Sequence, residues 1–144
     1  MNWKAEALEK LEKLDPMRQA VRNIPVEIER LEIDARAIRA ADLDRPAVKR
    51  SRGRDDAMLN NIVHRQELSW NLEQAKIWVD MVQDALGVLN PEEKLVLSRL
   101  YIYPEKGSLE RLCQELGVEQ SSIYRKRERA LRRFTQALYG FTET

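Results

Sequence analysis

From Gln120 to Arg133 the chain reads QSSIYRKRERALRR, with six positive side chains and one glutamate. This local charge of +5 sits in a protein whose net charge is only +1. On a helix turning ~100° per residue, Ser121, Ser122, Arg125, Arg129, Arg132 and Arg133 share about 120° of arc. So many like charges on one face disfavour an isolated helix. A polyanion relieves that repulsion, because lysine and arginine displace the counterions of DNA phosphates. The chemistry that such a face can do is recognition rather than bond-making. The N-terminal residues of a groove-inserted helix reach base edges, which makes Gln120, Ser121, Ser122 and Arg125 the specificity candidates. Arginine can pair bidentately with guanine and glutamine with adenine. Lys126, Arg129, Arg132 and Arg133 lie further along and are expected at phosphates. Tyr124 suits either phosphate contact or packing, and Arg127 turns towards the apolar face, where it suits an internal salt bridge.

Two helices and a turn must position these groups. Leu109, Leu112, Cys113 and Leu116 form one apolar face, for which Ser108 is the expected cap. Ile123, Ala130, Leu131, Phe134 and Leu138 form the matching face of the last helix. Gly117 between them permits a reversal that a side chain would resist. This is the outline of a helix-turn-helix with residues 120–138 as the recognition helix. Upstream, Asn90, Pro91 and Glu93 spell a capping box with proline first, so a helix is expected over residues 91–101. Its core candidates are Leu95, Val96, Leu97, Leu100 and Tyr101. Gly87 is the expected left-handed end of the preceding helix. That break divides residues 1–88 from a DNA-binding part, 89–144.

The first 88 residues read as helices. Trp3, Leu8, Leu11 and Leu14 fit a short helix, which Asp15-Pro16 ends by capping a second piece carrying Met17, Val21 and Ile24. Pro25 is expected to interrupt that piece. Ile28, Leu31, Ala35 and Ile38 then mark a core-facing helix to about Ala41. The pattern lapses from Asp42 to Asp56. There the basic residues Arg45, Lys49, Arg50, Arg52 and Arg54 form either a solvated loop, the default, or an arm over residues 45–54 that touches phosphates.

The longest helix is expected from Ala57 to Leu86. Leu68, Leu72, Ala75, Val79, Val82 and Leu86 step by 4, 3, 4, 3 and 4, a coiled-coil-like seam. Leu59, Val63, Trp70, Ile77 and Met81 gather almost opposite, so both sides call for cover. One side suits the residue 26–41 helix as an antiparallel hairpin. The other suits the N-terminal helices or a second copy of the chain.

Composition excludes several alternatives. The chain has 144 residues, 43% hydrophobic and 34% charged, with five Gly and five Pro. Its richness in Ala, Glu, Lys, Leu and Arg points to an all-α protein. One cysteine, Cys113, excludes an internal disulfide, suits a reducing cytoplasm and is read as a small core residue. One cysteine and one histidine, His64, make neither a usual zinc set nor a nucleophile pair. No glycine-rich phosphate loop or membrane-length apolar run is present, and the amphipathic, charged start of the sequence is not expected to act as a leader. No enzyme, metal, cofactor or membrane partner is expected.

The segment LNPEEKLVL, residues 89–97, followed by LERLCQELGVEQSSIYRKRERALRRF, residues 109–134, resembles region four of bacterial sigma factors. The matching positions are Leu116, Gly117 and Val118 at the turn, Ile123, and Ala130, Leu131 and Arg132 near the end. Lys126 departs from the pattern, standing where that family has an apolar residue. The resemblance covers about 55 residues and implies a helix-turn-helix that reads the promoter −35 element. The first 88 residues hold no counterpart of the part that melts the −10 element. The overall plan is similar to ArpU-type phage and prophage transcriptional regulators, which implies a role in late-gene expression.

The expectation is therefore an all-α chain: an N-terminal antiparallel helical hairpin or bundle, then a sigma-like helix-turn-helix. It would act as a cytoplasmic, sequence-specific transcriptional regulator on double-stranded DNA, as a homodimer through its N-terminal helices. RNA polymerase is a second candidate partner. Two rivals share the pattern: a small-terminase-like DNA-packaging protein, and a polymerase-binding adaptor that does not touch DNA.

Overall fold

A computed structural model of the chain describes residues 1–43 and 52–141, leaving aside the side chains of Asp42 and Arg52. The chain is all-α. Among the described residues there are five α-helices and no strand: α1 (Trp3–Leu43), α2 (Arg52–Leu86), α3 (Pro91–Leu97), α4 (Ser108–Leu116) and α5 (Gln120–Tyr139). A π-helical turn, Ser98–Ile102, follows α3 directly. Two compact units result. The first combines Met1–Arg18 with Ile77–Thr144, and the second is Gln19–Lys76. The handover from α2 to α3 near residue 88 thus lies inside the first unit.

The expected breaks at Pro16 and Pro25 do not occur, since α1 runs unbroken for 41 residues. Each proline forfeits a backbone hydrogen bond and costs about 3 kcal/mol in a helix interior. Both prolines are exposed, so neither ring disturbs the buried face of the helix. The apolar stripe also continues in phase through them. Leu11 and Leu14 are buried, Val21, Ile24 and Ile28 half-buried, and Leu31 and Ala35 buried again. One continuous face outweighs two local penalties. The expected cap at Asp15-Pro16 is accordingly absent.

Helix α2 begins at Arg52, so Arg54 and Gly53 are helical rather than part of a loop. Arg54 pairs with Asp55 at 2.7 Å. The remaining basic residues of the expected arm, Arg45, Lys49 and Arg50, lie outside the described residues. The seam of α2 is as expected, with Ala75, Val79, Val82 and Leu86 buried and Leu68 and Leu72 half-buried.

In the second unit Asn61 is buried, donates from Nδ2 to the Leu31 carbonyl at 2.9 Å, and accepts from Arg65 Nε at 2.8 Å. A polar group at this depth fixes where α1 and α2 meet there, because any slip strands the amide. Asn61→Ala is expected to cost about 1–2 kcal/mol, read as a lower urea midpoint in chemical denaturation.

Gly87 ends α2 without left-handed angles, since positive φ among the described residues is confined to Gly107, Gly117 and Gly140. The Asn90 box forms as expected. Asn90 Oδ1 accepts from the Glu93 amide at 2.8 Å, and Glu93 Oε1 accepts from the Asn90 amide at 3.2 Å. The expected helix to Tyr101 instead loosens into the π turn, closed by the Tyr103 amide on the Ser98 carbonyl at 2.8 Å. A π turn winds more slowly than an α turn. Ile102, rather than Tyr101, therefore ends up buried.

Candidate nucleic-acid interface

Val96, Leu112 and Ile123, each fully buried, join α3, α4 and α5 into one core, with Leu95, Leu100, Leu109, Cys113, Leu116 and Val118 packed around them. Further along α5, Ala130, Leu131 and Phe134 are buried as well. The apolar faces expected of α4 and α5 are both present, with Leu138 half-buried at the end. Cys113 is a free, half-buried thiol in this cluster.

The turn between α4 and α5 depends on Gly117, whose φ of 64° and ψ of 36° are left-handed. Val118 donates to the Cys113 carbonyl at 3.1 Å, and Glu119 then becomes extended. Its carbonyl accepts from the Ser122 and Ile123 amides at 3.0 and 3.2 Å, starting α5. Ser108 does not cap α4. Its hydroxyl is turned back into the preceding loop, accepting from the Glu105 amide at 3.0 Å and donating to the Glu105 carbonyl at 2.8 Å. Gly107, left-handed at φ 81°, occupies the cap position instead.

Gln120, Ser121, Tyr124, Arg125, Arg129, Arg132 and Arg133 are exposed along α5, and Ser122 and Lys126 are half-buried. Arg125 donates to Ser122 Oγ at 3.3 Å, a contact within the candidate face. Arg129 has no ion pair among the described residues. Lys126 and Arg133 are among the candidates that make contacts inside the domain. Lys126 pairs with Glu92 at 2.7 Å. Arg133 pairs with Glu93 at 2.6 Å and donates to the Val88 carbonyl at 2.9 Å. Arg127 is partly buried, pairs with Glu128 at 3.0 Å, and lies 5.0 Å from the centre of the Tyr124 ring. Tyr124 thereby packs under a cation while keeping an exposed edge.

The Lys126 and Arg133 pairs have a common cause. The acids Glu92 and Glu93 adjoin at the start of α3, where they favour the helix dipole but repel one another. Each finds a cation on α5. No protein-family model, no curated protein and no solved structure matches this chain.

A second set of contacts had no signal in the α5 sequence. The start of α1 packs on α5, with Trp3 and Tyr139 rings 4.9 Å apart and Lys10 donating to Tyr139 Oη at 2.6 Å. Lys4 pairs with Glu128 at 2.8 Å. The hydrogen bond from Lys4, and then that from Arg127, hold the Glu128 carboxyl below its usual 4.5 despite some desolvation. Its contribution is complete above pH 4.5 and disappears as pH falls through the lowered folded-state value. The only acid in the 120–133 run is thus turned to the α1 side and satisfied there.

Among the described residues no group of three His, Cys, Asp or Glu is placed to hold a metal ion. Nor is any helix among them long and apolar enough to cross a membrane.

Proposed function

We propose that the chain is a sequence-specific DNA-binding transcriptional regulator that places the first turns of α5 in the major groove. The observation that supports this best is the exposed α5 face carrying Ser121, Arg125, Arg129 and Arg132, with Gln120 at the start of the helix and the one nearby acid, Glu128, paired with Lys4 at 2.8 Å. Behind it lies a packed core that holds the helix rigid. A merely solvated helix face would mix acids among the bases, as α1 does with Glu27, Arg30 and Asp34. Gln120, Ser121, Ser122 and Arg125 read bases. Arg129 and Arg132 meet phosphates, with Tyr124 at the edge of the contact. Lys126 and Arg133 brace α5 against α3 and add positive potential rather than direct contacts. α4, the Gly117 turn and α5 together form the helix-turn-helix, and the N-terminal helices join two chains into a homodimer. The region-four resemblance adds RNA polymerase as a second partner, and the likeness of the overall plan to ArpU-type regulators adds a phage or prophage setting.

Selection of bound sites from random duplex DNA tests the reading. On the selected site Arg125→Ala is expected to lower affinity by about 10- to 100-fold, since a bidentate arginine–guanine pair carries ~1–3 kcal/mol. Its effect on random DNA is expected to be small. Arg132→Ala is expected to weaken binding to both DNAs alike. Failure to enrich any sequence, or equal losses on both DNAs for both variants, refutes the assignment.

A further inference from the structure

Among the described residues the face of α2 opposite its buried seam is apolar and exposed. Leu59, Val63, Trp70, Ile77 and Met81 are all exposed, from 41% for Met81 to 64% for Trp70. Their spacing has a symmetry that a lone helix does not require. Val63 and Ile77 lie seven residues before and after Trp70, and Leu59 and Met81 lie eleven before and after. Gln66 and Gln74 fill the gaps at four before and four after. Trp70 is also one residue from the midpoint of Arg52–Leu86. The 4-3-4 step, repeated, is an 11-residue period that stays on one face of a nearly straight helix.

We infer that this face is where a second copy of the chain docks, with the two α2 helices antiparallel and the two-fold axis at Trp70. This rests on the proposal that the protein works in pairs, and specifies the surface and orientation. A parallel pair matches any stripe with itself. Only an antiparallel pair needs the mirror spacing that is present. About a two-fold at Trp70, each Val63 meets an Ile77, each Leu59 meets a Met81, and the two indoles meet each other. At ~100° per residue Glu67 and Gln74 share one edge of the stripe, and Glu73 and Gln66 share the other. The two-fold brings like edges together in reverse order, so each Gln74 faces a Glu67 and each Gln66 a Glu73. No carboxylate faces another there, and polar residues at such a seam fix register. Opposed helix dipoles add to this.

The size also fits. The stripe runs ~33 Å along the helix. Its five side chains each expose about 100 Å², so two copies bury about 1,000 Å², where specific interfaces begin. A two-fold dimer would bind inverted rather than direct repeats.

The test is sedimentation equilibrium of the full chain without DNA. A dimer is expected. W70E sets two carboxylates against each other at the axis and is expected to raise the dimer dissociation constant by about 30-fold or more. Far-UV helicity should be unchanged, because Trp70 faces solvent in the single chain. V63E and I77K are each expected to weaken the dimer. In a chain carrying both, each new acid meets the partner's new base, and the dimer should return. A monomeric or ring-sized parent, an undisturbed W70E dimer, or a double variant no tighter than the single ones overturns the proposal. DNA plays no part in these measurements. A monomer that still binds DNA removes only the pairing, and a dimer indifferent to DNA removes only the reading head.

Discussion

Truncating Ile123 to alanine is expected to destabilise the α3–α4–α5 core by about 2–5 kcal/mol, the range for deleting most of a buried branched side chain. Ile123 is fully buried with Val96 and Leu112, in a cluster whose surrounding side chains come from three helices and can only partly collapse into the space left. The effect should be local to the reading head, because Ile123 sits between Ser122 and Tyr124 and anchors the end of α5 that would meet bases. Hydrogen exchange is the suitable measurement. Amides of α5 that open with the core should exchange about 30-fold or more faster. DNA affinity should fall on selected and random sequences together, since the whole face loses its support. Unchanged exchange in α5 would mean that Ile123 does not seat the helix.

Arg133→Ala is the second large effect, and it separates two readings of one residue. By charge and position along α5, Arg133 is a phosphate contact. In the structure its guanidinium bonds both to Glu93 and to the Val88 carbonyl. Glu93 is only 3% exposed, and its Oε2 is buried with no hydrogen-bond partner among the described residues. Removing the arginine leaves a buried carboxylate with its cap bond alone. Breaking a fully buried pair costs about 3–5 kcal/mol. Arg133 is half exposed, so solvent screens the pair and a loss of about 2 kcal/mol is the better expectation. The urea midpoint should drop for Arg133→Ala and recover in part for Arg133→Lys, which keeps the charge but not the second donor. A variant of unchanged stability that binds every DNA more weakly would return Arg133 to the phosphate contacts.

Much of this was legible in the sequence where local chemistry and packing agree. The Asn90–Glu93 cap, the left-handed Gly117 and the apolar faces of α4 and α5 follow from residue type and spacing, and no distant contact opposes them. Legibility fails where a distant or continuous interaction decides. Pro16 and Pro25 carry strong local stop signals, but the stripe from Leu11 to Ala35 keeps its phase through both and the helix continues. Ser108 has the right type for a cap, yet its hydroxyl is satisfied by Glu105 first. The partners of Lys126 and Arg133 lie about 35–40 residues upstream, which helical periodicity does not reach. Only the adjacent acids Glu92 and Glu93 hinted that two cations of the basic helix had work inside the domain. The same distance hid the packing of Trp3, Lys4 and Lys10 on the far side of α5.

The central claim, that the α5 face binds DNA through its arginines, is tested most directly by a salt titration. Fluorescence anisotropy of the full chain with a selected duplex would give the association constant at several salt concentrations. With Arg125, Arg129 and Arg132 at the duplex, the logarithm of that constant should fall linearly with the logarithm of salt. The slope should be about −3 or steeper per bound copy. A flat dependence, or no binding at low salt, would contradict the account.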